Sequence, residues 1–148
     1  MGRFSYITRI LPPYGIMFVR LHGVHSPEVS RDRGRMLLDR IRAGGINALV
    51  YDYRHTIYTH DPFQAASLAH RISASLPAGF PIAYVFRRHH AGFVLTLMRT
   101  IARNGLVTEP FSRPRDALAW AERQCLVRLG GHPPDTAALD MPPHARSA

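Results

Sequence analysis

Ile46-Asn47-Ala48-Leu49-Val50-Tyr51 is the stretch on which the fold turns. Its side chains are almost continuously apolar, where a strand with one wet face would alternate. It is therefore expected to be a strand covered on both faces, as in a parallel sheet flanked by helices. Gly44-Gly45 stands just before it and stops a segment of helical period. That segment opens on Ser26-Pro27-Glu28: a hydroxyl N-cap, a proline at the first helical position and a carboxylate near the positive helix end. Val29, Met36, Leu37 and Ile41 form its expected buried stripe, with Arg31, Asp32, Arg35, Asp39 and Arg42 toward water.

Toward the C-terminus the same alternation of elements repeats. Asp61-Pro62-Phe63-Gln64 has the form of a capping box, and Ala65, Leu68, Ala69, Ile72 and Leu76 make the stripe of the helix it opens. Pro77-Ala78-Gly79 ends that helix, and Phe80 to Phe86 is a second buried strand. A third helix covers about Gly92 to Arg103, with Val94, Leu97, Met98 and Ile101 inward and Asn104-Gly105 as its stop. Leu106 to Phe111 is a fifth strand, placed at a sheet edge by Pro110, which has no N–H to donate. A fourth helix starts at Ser112-Arg113-Pro114, with Leu118, Ala121 and Cys125 in one stripe and Trp120 at its margin. Toward the N-terminus, Ser5–Leu11 alternates with period two and Ile16–Leu21 is mostly apolar. The turn Pro12-Pro13-Tyr14-Gly15 makes them an antiparallel hairpin. The expected fold class is α/β: a five-stranded mixed sheet with four helices in the order ββαβαβαβα, helices on both faces, and the first and fifth strands at the margins.

Composition bounds the rest. A single domain is expected over residues 1–129, and a flexible Pro/Gly-rich tail over 130–148, where periodicity stops. The one cysteine, Cys125, excludes an internal disulfide and is expected to be a buried hydrophobe in a reducing compartment. No run approaches the roughly 20 apolar residues that span a bilayer, and there is no signal-peptide pattern, so the chain is expected in the cytoplasm. All 19 basic residues are arginine, against 10 acidic ones. The choice of arginine over lysine fits a GC-rich bacterial genome, but a formal charge of +9 favours anionic partners.

Phe111-Ser112-Arg113-Pro114-Arg115-Asp116-Ala117-Leu118-Ala119-Trp120 and Leu97-Met98-Arg99-Thr100-Ile101-Ala102 carry a resemblance. With the order of elements, they resemble the STAS-domain superfamily, closest to the stand-alone bacterial SpoIIAA-like branch, whose fold is also compared with lipid carriers of the CRAL-TRIO type. The likeness covers about Tyr6 to Gln124 and rests on packing residues, so it implies a fold and a non-catalytic, regulatory role rather than a chemistry. Anti-sigma factor antagonists of this superfamily carry a phosphorylated Ser or Thr where the second helix opens. Here that stretch is His60-Asp61-Pro62-Phe63 and holds no hydroxyl, so a phospho-switch of that kind is not expected.

In open α/β sheets ligands sit outside the carboxyl ends of the parallel strands, where helix N-termini converge. The loops there are expected to hold His22 and His25, then Arg54, His55, Thr56 and His60, then Arg87, Arg88, His89 and His90, then Arg113 and Arg115. Arg54, His55, His60, Arg87, Arg88, His89 and His90 are the candidate anion-binding residues, with Arg88 favoured over Arg87 because it stands nearer the third helix. No cofactor and no metal are expected: His22-x-x-His25, His55-x4-His60 and His89-His90 lack Cys or Glu partners, and the flanking arginines repel a dication. No nucleophile elbow, phosphate-cradling glycine loop or paired carboxylates are present, and Leu21-His22-Gly23-Val24-His25 lacks the dinucleotide glycine pattern. The expected function is a binding or regulatory module for an acidic protein, a lipid headgroup at a peripheral membrane contact, or a small anion, with no specific nucleic acid. The alternative is a small enzyme or ligand carrier using the histidine-rich loops.

Overall fold

The computed structural model describes residues 3–130. β1 (Ser5–Leu11) and β2 (Ile16–His25) form the opening antiparallel hairpin, paired from Leu11↔Ile16 to Ser5↔His22. Gly15 in the turn has φ +74°, and a Cβ there would land on the Gly45 carbonyl oxygen, so only glycine fits. α1 (Pro27–Arg42), β3 (Ala48–Tyr58), α2 (Pro62–Ser75), β4 (Pro81–Val85), a 3₁₀ turn (Arg88–His90), α3 (Ala91–Arg103), β5 (Val107–Phe111) and α4 (Pro114–Arg128) follow. The strands lie in the order β1-β2-β3-β4-β5, with β2 to β5 mutually parallel. The expected mixed sheet, its helices and its two edge strands are present.

Handedness explains the layers. Each crossover from β2 to β5 steps one strand in the same direction, and right-handed crossovers in one direction must share a face of the sheet. α1, α2 and α3 therefore cover one face, over a core that includes Leu49, Tyr51, Ile82, Tyr84, Val94, Leu97 and Ile101. Only α4, which follows the last strand, is free to cross to the other face. There Ala117, Trp120, Ala121 and Cys125 pack on Ile16, Ala48, Val50, Ala83 and Val85. α4 lies over β4 and β3, and among the described residues no helix covers the β1 side of this face, where Ile7 is 51% exposed.

Local signals act as expected at most helix ends. Ser26 accepts from the Val29 N–H at 3.2 Å, and Asp61 and Gln64 form a reciprocal capping box. Three details differ. Met36 is exposed rather than in the α1 stripe, because Ser30, Leu37 and Ile41 define the inward face. Trp120 is buried, and Ala117 rather than Leu118 completes the α4 stripe, since small residues let the helix approach the sheet. β2 and β3 run four and seven residues past their expected ends at Leu21 and Tyr51. His22, His25, Arg54, His55 and Thr56 therefore lie in strands and not in loops. β2 and β3 keep pairing beyond a bulge between Arg20 and His22, from His22↔His55 to His25↔Tyr58, while β4 ends opposite Asp52. The tail expected over 130–148 lies outside the described residues except for Gly130.

Candidate functional site

One register row crosses the whole sheet at its C-terminal end: Ile7, Arg20, Asp52, Val85 and Phe111. Paired residues share a face, and this row faces α4. Asp52 has no exposed side-chain surface, yet two arginines reach it. Arg54 donates Nε to Oδ1 and Nη2 to Oδ2, both at 2.9 Å, and Arg20 donates Nε to Oδ2 at 2.9 Å. Burial opposes ionisation of this carboxyl, but the hydrogen bonds from Arg54 and Arg20 outweigh it and hold the pKa below the usual range. Two cations on one anion leave a net positive charge fixed at the base of the strands. Arg20 is held further by Phe18, with Cζ 5.4 Å from the ring centroid, and both its Nη groups are without a partner among the described residues.

The two histidines just past this row, His22 and His55, stack with centroids 5.1 Å apart. His55 is exposed, and partial desolvation depresses its pKa despite the nearby Asp52 charge. The 3₁₀ turn adds Arg87, Arg88 and His89, all exposed. His90 is 1% exposed and does a structural job. Its Nδ1 accepts from the Arg87 N–H at 3.2 Å, so its Nε2 carries the proton donated to the Thr56 carbonyl at 2.8 Å. That bond ties the turn before α3 to the extended part of β3.

On the other face, His60 is buried with Ser30, Oγ to Nε2 2.9 Å, and beside His25, ring centroids 5.1 Å apart. A serine next to a histidine invites comparison with a nucleophile and its base. Ser30 Oγ, however, also donates to the Pro27 carbonyl at 3.0 Å. A hydroxyl has one proton, so His60 Nε2 is the donor in the second bond and is not placed to take a proton from Ser30. His60 Nδ1 has no hydrogen-bond partner among the described residues, so no third group orients the ring.

Of the seven residues expected to form an anion site, the structure keeps four on the surface: His55, Arg87, Arg88 and His89. Arg54 is committed to Asp52, while His60 and His90 are built into the interior. Arg113 and Arg115 are exposed at the start of α4. Arg20 is the residue that sequence reading missed. The signal was an arginine inside an otherwise apolar strand, two positions from Phe18 and so on its face. Among the described residues no helix is long and apolar enough to cross a membrane, and no three His, Cys, Asp or Glu side chains are gathered as a metal site requires.

Neither a protein-family model nor a curated protein matches this sequence. Solved structures do match it in fold. One is an uncharacterized protein of the DUF3478 family with a SpoIIAA-like fold from Shewanella loihica PV-4. It is 13% identical, covers 82% of this chain and 97% of its own, and superposes with a TM-score of 0.56. Another is the anti-sigma factor antagonist SpoIIAA in its unphosphorylated form, 10% identical over 80% of this chain and 98% of its own, also with a TM-score of 0.56. At these identities the likeness speaks for architecture alone, and that architecture is the STAS-type, SpoIIAA-like fold.

Proposed function

We propose that this chain is a non-catalytic binding module that recognises an anionic partner at the C-terminal ends of β2 to β4, on the face that α4 leaves open. The observation that carries the reading is the Arg20–Asp52–Arg54 cluster. Its buried carboxylate fixes two guanidiniums in place, so a partner anion meets a pre-oriented charge and little side-chain entropy is lost on binding. Arg87 and Arg88 extend the positive field, the His55 and His89 imidazoles stand beside it, and exposed Ile7 and Ile57, each about half exposed, flank it. A broad surface of mixed basic and apolar groups suits an acidic protein better than a small anion. The fold of an anti-sigma factor antagonist supports a regulatory role for such a contact. The candidate set becomes Arg20, Arg54, His55, Arg87, Arg88 and His89.

The test is fluorescence anisotropy of a labelled oligoglutamate peptide, run beside phosphatidylglycerol vesicles and inorganic phosphate. The peptide should bind most tightly and weaken steadily as salt rises. Arg20→Ala with Arg88→Ala should remove most of the binding, at least tenfold, with the melting temperature held. Asp52 keeps its three bonds from Arg54 in that variant, two from the guanidinium and one from the backbone N–H, so no buried charge is stranded. Equal binding by wild type and double variant would sink the reading. A preference for the vesicles or for phosphate would reassign the partner.

A further inference from the structure

The face covered by α1, α2 and α3 holds a partly open cavity of about 490 Å³ between α1, α2 and the strands. That is within the roughly 300–1,000 Å³ in which drug-sized ligands bury most of their surface. Its origin is a missing side chain. The inward stripe of α1 runs from Ser30 through position 34 to Leu37 and Ile41, and Gly34 sits at the centre of that stripe. A Cβ built on Gly34 would meet nothing within 4 Å. α1 accordingly rests mainly against α2 rather than on the strands beneath it.

The walls are apolar: Leu21, Leu37, Leu68 and Ile72 line the cavity together with the rings of Tyr51 and Tyr53, which are 6% and 2% exposed. The mouth differs in character: Arg31, Arg33, Arg35, Arg42 and Arg71 line it against a single carboxylate, Asp39, which pairs with Arg42 at 3.7 Å. Arg71, on α2, is partly desolvated and feels the charge of Arg31 on α1, and both lower its pKa. Two guanidiniums facing each other's repulsion across a groove are stabilised by an anion between them.

We propose that this cavity binds an organic monocarboxylate with an apolar body, of a size that the volume accommodates. Arg31 and Arg71 hold the carboxylate at the mouth, the body lies against Leu37, Leu68 and the rings of Tyr51 and Tyr53, and the apolar interior rejects a second charge. The site is on the opposite face of the sheet from the Arg20 cluster and stands whether or not that cluster binds an acidic partner.

Isothermal titration of the full chain with decanoate, decanol and acetate tests this. Decanoate should bind, decanol at least tenfold more weakly, and acetate not measurably. Gly34→Leu puts a side chain into the cavity and should cut decanoate affinity at least tenfold. Its melting temperature should not fall, because leucine is a better helix former than glycine. Arg31→Ala with Arg71→Ala, both exposed positions that leave the core alone, should weaken decanoate about tenfold and leave decanol unchanged. No binding of decanoate to wild type overturns the proposal. So does decanol binding as tightly as decanoate, or decanoate affinity indifferent to both the Gly34 and the paired arginine substitutions.

Discussion

His25 shows how one side chain couples packing to pH. Its ring lies among Phe4, Tyr53, His60 and Phe93, with the Phe4 centroid 5.4 Å away. Burial, and then the charge of His60, push its pKa down to about 3. A depressed histidine stays neutral in the folded state and takes up a proton readily once unfolded. Its contribution to stability is therefore intact above pH ~6.5 and is lost as pH falls from there toward 3, at up to about 1.4 kcal/mol per pH unit. His60 is shifted in the same direction, mainly by burial and then by Arg71, and adds to the loss. His25→Phe keeps the ring and removes the proton, so urea unfolding at pH 7, 6 and 5 should show a clearly shallower loss than in wild type. An unchanged pH slope would place the acid sensitivity elsewhere. Cys125 behaves in the opposite sense: burial raises its thiol to about 11, so it stays protonated and inert, in keeping with its expected place in the core.

Among the elements, α2 was the most legible. Its cap and its capping box are as read, and four of its five stripe residues lie in the helix while Leu76 is buried as its extended C-cap, because each signal is local: a side chain reaching a backbone N–H three residues on needs no distant partner. Asp61→Ala should cost about 1 kcal/mol in urea unfolding with an unchanged m-value. A cost below a few tenths would mean that the cap bond to Gln64, 2.7 Å long, is balanced by water. β3 was the least legible at its far end. Arg54-His55-Thr56 has the composition of a loop, yet β2 pairs His22, Gly23 and Val24 with His55, Thr56 and Ile57, and pairing with partners 33 residues away overrides local polarity. Thr56 turns its hydroxyl onto the Tyr53 carbonyl at 2.7 Å, a local bond that the period of two does not reveal.

For the molecule as a whole, stability should grade from the centre of the sheet outward. Leu49 to Asp52 in β3 and Ile82 to Val85 in β4 have a paired strand on each side and a helix layer on both faces. Hydrogen exchange should be slowest at these amides and much faster in β1, whose outer edge is unpaired and whose α4-side face is open among the described residues. Protection in Ser5–Leu11 exceeding that in Ile82–Val85 would contradict the central placement of β4. The same asymmetry positions both candidate sites. Three same-handed crossovers crowd one face and leave a cavity beneath α1, while on the other face α4, the one helix there among the described residues, leaves Arg20 partly exposed beside Asp52.

The element order, the caps of α1 and α2, the Gly15 turn and the two buried central strands follow from sequence alone, because each rests on periodicity or on bonds spanning a few residues. Tertiary structure alone decided which polar residues are available. Arg54 and Arg20 look alike in the sequence until Asp52 takes two guanidinium donors of one and a single donor of the other. His89 and His90 are neighbours, yet one is exposed and the other is buried on Thr56. Gly34 looks like an ordinary helical glycine until α2 and the strands close around the space its missing side chain leaves. In each case the deciding neighbour is brought close by sheet register and helix packing, which no local pattern encodes.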